Sequence, residues 1–108
     1  MKKNYIIKKA DEFNNIIKNG TMIKGKNVVL YYLPSEDNKM YYGIAAGKKL
    51  GNAVNRNYLK RKIRMIIHNN QKLFKNNYKY IIMIRRECIN SLYINIEREF
   101  IDILGKVN

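Results

Sequence analysis

Acidic residues are scarce in this chain, and none lies between Asp37 and Glu87. Eight carboxylates stand against 22 lysines and arginines over 108 residues, a formal net charge of +14. Two-metal nuclease chemistry needs acidic ligands, and the basic middle of the chain holds no carboxylate pair to supply them. Cysteine occurs once, as Cys88, which excludes an intramolecular disulfide and any multi-cysteine zinc site. Histidine also occurs once, as His68. A Cys88–His68 nucleophile–base pair is conceivable, but a lone cysteine near a strand end is far more often a small hydrophobe. No catalytic side chain and no protein-held metal are therefore expected. Long apolar runs are missing too, so no membrane span is expected. The stretch from Met1 to Phe13 carries lysines but no sustained apolar segment, which argues against a secretory signal. Cytoplasm is the expected compartment.

What is present in excess is positive charge. Self-repulsion at this net charge disfavours the compact state, so an anionic partner should stabilise the fold. Nucleic acid is the leading partner, with an anionic membrane surface a distant second. The length suits one domain, residues 1–108, with a single modest core.

Ala10 to Asn19 reads as a short helix, with Phe13, Ile16 and Ile17 at helical spacing and Gly20 as its stop. Thr21 to Leu33 is β-rich, and Gly25 divides it into two strands. Met40 to Ala46 reads as a returning strand after the turn cluster Pro34 to Asn38, paired antiparallel by hairpin logic. Gly47 to Asn52 is a loop, and a helix follows from about Ala53 to Asn69. Residues 69–77 form a polar connection. Tyr78 to Ile84, an apolar run of strand length, is expected to be a central strand. A last helix spans about Ser91 to Leu104, capped by Asn90 or Ser91, with Ile96, Phe100, Ile103 and Leu104 on one stripe and Gly105 at its end. The order αβββαβα predicts an α+β fold, an α/β sandwich with helices packed on a small mixed four-stranded sheet.

The Ala53–Asn69 helix is the most informative element. With Arg56 set to zero on a wheel of about 100° per residue, Lys60 falls at about 40°, Arg64 at about 80°, Asn57 at about 100° and Arg61 at about 140°. Leu59, Ile63, Ile66 and Ile67 occupy the neighbouring arc. A buried stripe thus runs beside a cationic one. Solvated helices usually place glutamates four residues from their lysines, and this helix has none. Like charges at that spacing cost a few tenths of a kcal/mol per pair, about 0.2–0.5. The arrangement is unfavourable for the free protein and is accounted for by phosphate binding. Gly47-Lys48-Lys49-Leu50-Gly51-Asn52 leads into the amino end of the helix, where free N–H groups and close backbone approach favour anions.

Tyr31, Tyr32, Tyr41 and Tyr42 lie on strands, where alternation sends one of each adjacent pair to each sheet face. On an open face they are stacking platforms for single-stranded bases; otherwise they are core and rim packing.

Taken together, Gly51-Asn52-Ala53-Val54 followed by Arg56, Asn57, Lys60, Arg61 and Arg64 resembles the signature of the bacterial ribonuclease P protein subunit. The resemblance extends to the paired lysines Lys2, Lys3, Lys8 and Lys9, the Asp11-Glu12-Phe13 helix, the Val28–Tyr32 strand and the late Tyr80–Arg86 stretch. It implies a small protein cofactor of a catalytic RNA that removes 5′ leaders from precursor tRNA, with magnesium at the RNA. It also implies that Lys48, Lys49, Asn52, Arg56, Asn57, Lys60, Arg61 and Arg64 contact RNA. A cleft beside the amino-terminal helix, involving Phe13, Ile17 and Tyr31, would receive the single-stranded leader, and the crossover enclosing the basic helix would be left-handed. Two positions depart from the family pattern: Tyr58 replaces an arginine, and Ile17 stands where an aromatic is frequent. The competing readings are a ribosome-associated or RNA-chaperone basic protein, and an autonomous nuclease.

Overall fold

The sheet is organised around Tyr78–Ile84 (here β4), whose Tyr80, Ile81 and Ile82 are all fully buried. A strand with apolar residues on both faces needs cover on both, and this one receives it. In the computed structural model, residues 6–75 and 77–107 are described; Lys2 and Lys3 of the paired-lysine start lie outside them. The elements are α1 (Ala10–Asn19), β1 (Thr21–Lys24), β2 (Val28–Pro34), β3 (Tyr41–Ala45), α2 (Ala53–Asn69), β4, and α3 (Tyr93–Leu104). The αβββαβα order and the α+β class are as the sequence predicts.

The strand order is β1-β2-β4-β3. β4 inserts between β2 and β3, antiparallel to the first and parallel to the second. The expected β2–β3 hairpin is therefore not made. The two strands run in opposite directions, but each pairs with β4, which lies between them. α2 is the crossover that joins the parallel pair β3 and β4. The outer side of β3 is met by the amino-terminal segment, where Ile6 bridges to Tyr42 and Ile7 N–H donates to the Tyr42 carbonyl at 2.7 Å.

Helices lie on both faces. Val28, Leu30, Tyr32, Tyr42, Tyr80, Ile82 and Ile84 form the larger core with α2 and α3. α2 contributes Leu59, Ile63, Ile66 and Ile67, and α3 contributes Ile96, Phe100, Ile103 and Leu104, the stripes read from periodicity. On the other face α1 packs Ile16 against Ile7 and Ile81, with Phe13, Ile17, Tyr31, Leu33 and Tyr41 around them. Gly20 follows α1 where a Cβ would lie 2.5 Å from the Ile16 carbonyl oxygen and 2.7 Å from that of Tyr32. Its φ of −84° is ordinary, so space rather than backbone conformation demands the glycine.

Three further details depart from the sequence reading. Lys48–Leu50 is a short 3-10 helix inside the expected loop, anchored by buried Leu50. The expected polar connection after α2 contains a turn at Gln71–Leu73 and sends Phe74 into the core. There the Phe74 ring meets Tyr80 edge-on at 5.1 Å, and the Tyr80 hydroxyl accepts from Lys75 N–H at 2.9 Å. α3 begins at Tyr93, without a side-chain cap, not at Ser91. The Ser91 hydroxyl is engaged by the Asn27 side chain instead, so tertiary contact outbids local capping.

Candidate nucleic-acid interface

The amino end of α2 is held by Asn52, whose side-chain oxygen accepts from Asn55 N–H at 3.0 Å. Gly51 precedes it at φ +110°, a conformation that L side chains rarely adopt. These two residues set the angle at which the lysine loop meets the helix. Lys48 and Lys49 are exposed on the 3-10 turn, and the structure gives Asn52 a capping role.

Along α2, Asn57, Arg61 and Arg64 are exposed, and Arg56 and Lys60 are half-buried beside the apolar stripe. No cation of the helix pairs with an acid among the described residues; the ion pair found there is Arg85–Glu87 at 3.4 Å. Arg56 Nε is shielded from solvent and makes no hydrogen bond among the described residues. The cationic stripe is thus present, outward-facing and uncompensated.

Phe13, Ile17 and Tyr31 come together on the α1 face of the sheet, each partly buried. Tyr31 belongs to this face, and Tyr32 to the opposite core at 7% exposure. Gly43 on β3 creates room for the cleft, since a Cβ there would sit 2.6 Å from the Phe13 ring. Nothing in the local sequence marks Gly43 for this duty; the requirement appears only when α1 is laid across the sheet.

Two hollows flank the Ile6–Ile7 segment at the β3 edge. One, of about 260 Å³, is lined by Lys8, Phe13, Tyr42, Ile44, Lys60 and Arg64 with that segment. It connects the aromatic cleft to the cations of α2. The other, of about 350 Å³, carries Glu12, Glu36, Asp37, Tyr41 and Lys79. The Tyr41 hydroxyl donates to Asp37, which holds that carboxyl below its ordinary range and keeps it charged. The larger hollow therefore repels phosphate and the smaller one attracts it.

Cys88 is fully buried, and burial pushes its thiol up to about 11. It is protonated at neutral pH and unsuited to nucleophilic attack. In the native protein at pH 8 Cys88 is expected to resist an aromatic disulfide reagent and to react fully once denatured, as absorbance of the released thiolate would report. Rapid native labelling would contradict this. Because the folded value lies above the ordinary thiol value of 9.0, stability present below pH 9 falls as pH rises towards 11.

An acid-free cationic helix, an exposed lysine turn at its amino end and an aromatic cleft on a small α+β scaffold define an RNA-binding protein of the ribonucleoprotein-subunit class. The family model described as Ribonuclease P matches residues 1–108. The ribonuclease P protein component of Streptococcus pneumoniae serotype 4 is 34% identical over 104 residues, spanning 96% of this chain and 85% of that protein. The Staphylococcus aureus RNase P protein superposes with a TM-score of 0.83 at 28% identity, covering 94% of this chain and 93% of that one. The Thermotoga maritima RNase P protein, at 20% identity, shares the fold with a TM-score of 0.82 over 90% of this chain and 92% of that one. The chain belongs to the bacterial ribonuclease P protein family. It is the protein component of a ribonucleoprotein endoribonuclease that matures the 5′ end of tRNA together with a catalytic RNA.

Proposed function

We propose that α2 and the Lys48–Asn52 turn face the catalytic RNA, while the cleft of Phe13, Ile17 and Tyr31 receives the 5′ leader of precursor tRNA. The observation that carries this reading is the uncompensated stripe of Arg56, Lys60, Arg61 and Arg64. The hollow lined by Lys8, Lys60 and Arg64 supports it by offering a cationic path between the two surfaces. Residues 1–108 act as one RNA-binding domain that screens phosphate repulsion, and the protein's own side chains break no bond. The hydrolysis is assigned to the RNA with magnesium bound there. Among the described residues no three metal-ligating side chains gather, and none of the helices is long and apolar enough to cross a membrane. The working compartment is the cytoplasm, with precursor tRNA.

Reconstitution at low magnesium tests the reading. The protein is expected to stimulate cleavage by the catalytic RNA and to cleave nothing alone. A ribosome-associated or chaperone protein would bind RNA without stimulating cleavage, and an autonomous nuclease would cut unaided. In the same assay Tyr31→Ala should weaken binding of a leader-bearing precursor by about five- to tenfold, the loss of one stacked base. Mature tRNA should bind as before. Equal losses for both RNAs would remove Tyr31 from the leader cleft.

A further inference from the structure

α2 carries a third stripe that the cationic reading leaves unused. Val54, Tyr58 and Met65 lie on its outermost side, 75%, 58% and 54% exposed. Apolar side chains so exposed on the most basic element of the protein call for a partner with both flat apolar and anionic character. Tyr58 is the centre of this stripe. The Lys62 ammonium lies 5.2 Å from its ring centroid, which orients the ring and marks its surroundings as cationic. The ring walls two shallow hollows. One, of about 210 Å³, is completed by Arg61, Lys62 and Met65. The other, of about 270 Å³, is completed by Leu50, Asn55, Leu59 and Ile89. A cavity of about 150 Å³ is enough for a benzene ring, so the second hollow has room for a planar base.

We propose that Tyr58 is a stacking platform for one unpaired nucleobase of the catalytic RNA, seated between the tyrosine ring and Ile89. Arg61 and Lys62, in the adjoining hollow, take the phosphate of that nucleotide. This rests on the reading that α2 faces the catalytic RNA. The chemistry matches on three counts. The ring offers a π-face that any base can stack on. Asn55 lines the same hollow and supplies a polar side chain for a base edge. The charged residues that line the two hollows, Arg61 and Lys62, are both positive. An apolar protein partner would have to bury those cations unpaired, which is costly. A nucleotide neutralises them.

The test compares Tyr58→Ala, Tyr58→Phe and Arg61→Ala by titration of the catalytic RNA at several salt concentrations. Tyr58→Ala should weaken binding by about tenfold with an unchanged slope of log K on log salt, since no charge is lost. Tyr58→Phe should bind within about twofold of the parent, because the ring and not the hydroxyl makes the contact. Arg61→Ala should weaken binding and flatten the slope. The chain has no tryptophan, so Tyr58→Trp introduces a lone reporter whose fluorescence should be quenched when RNA binds. Tyr58 is exposed, so truncation should leave the thermal transition in place. Unchanged affinity of Tyr58→Ala beside a weakened Arg61→Ala overturns the stacking proposal alone. Unchanged affinity in both overturns the placement of α2 as well. A loss in Tyr58→Phe equal to that in Tyr58→Ala assigns a hydroxyl contact and overturns stacking. A concentration-dependent dimer abolished by Tyr58→Ala, with RNA affinity unchanged, gives the stripe to a second copy of the chain and overturns it too.

Discussion

Replacing Arg56, Lys60 and Arg61 together by alanine is expected to lower affinity for the catalytic RNA by about a hundredfold at physiological salt. The magnitude follows from counterion release. Each phosphate neutralised contributes a slope of about 0.7–0.9 in log K against log salt. Three contacts make a change of about two in slope, and at 0.15 M salt that amounts to about two decades relative to 1 M. Each single replacement should flatten the slope by about one unit or less. The free protein should not be destabilised by these changes. Arg56, Lys60 and Arg64 follow one another at four-residue spacing, so removing two of them relieves like-charge repulsion of about 0.2–0.5 kcal/mol per pair. Affinity therefore falls while the melting temperature holds or rises. That opposition separates an RNA-contact role from a folding role. Titration at four salt concentrations, with a thermal melt of each variant, provides both readings. An unaltered slope in the triple variant would remove α2 from the RNA interface.

The largest effect on stability is expected at Glu99, which takes no part in the RNA contacts proposed above. Its carboxylate accepts backbone N–H bonds from Lys26 at 2.9 Å, Asn27 at 2.9 Å and Val28 at 3.0 Å, and from the Asn27 side chain at 3.2 Å. Asn27 and Val28 are buried, so removing the acceptor strands two backbone donors away from water. Each stranded donor costs about 1–3 kcal/mol, and Glu99→Ala should therefore cost about 3 kcal/mol. For a domain of this length that lowers Tm by roughly 12–24 °C. Glu99→Gln keeps one acceptor oxygen and should lose about half as much. Gly25 belongs to the same arrangement, because a Cβ there would lie 2.6 Å from the Glu99 carboxylate. Arg85 closes it from β4's end by donating to the Gly25 carbonyl at 2.7 Å. Thermal denaturation within about 2 °C of the parent for Glu99→Ala would show that water replaces the carboxylate and that the count of stranded donors is wrong.

Glu99 also shows what local pattern cannot disclose. It sits on α3, 73 residues from Lys26, and nothing in its neighbourhood distinguishes it from Glu97. Both are half-buried helical acids at the edges of the apolar stripe. Only the packing of α3 over the β1–β2 turn gives one of them three backbone donors. Gly43 is a parallel case, since its small size matters to Phe13 and Ile81, on two different elements. The expected hairpin of β2 and β3 failed for a related reason. Hairpin logic weighs the turn between two strands. It does not weigh a third strand, far along the chain, that pairs with both and takes the place between them.

Short-range physics was legible from residues alone. The bounds of α1 and α2, the buried stripes of α2 and α3, and the central standing of Tyr78–Ile84 follow from periodicity, because burial of a regular element repeats with its geometry. The cationic stripe was equally readable, since charge and the absence of acids are properties of composition and phase. Which tyrosine of each pair faces which side was half determined. Alternation separates Tyr31 from Tyr32, and Tyr41 from Tyr42, but assigns neither side. The tertiary structure decided that by laying α1 across one face and α2 with α3 across the other. It decided strand order, the Glu99 carboxylate cap and the exposure of Tyr58 in the same way. Each of these depends on contacts between residues distant in the chain, whose energies a local pattern does not contain.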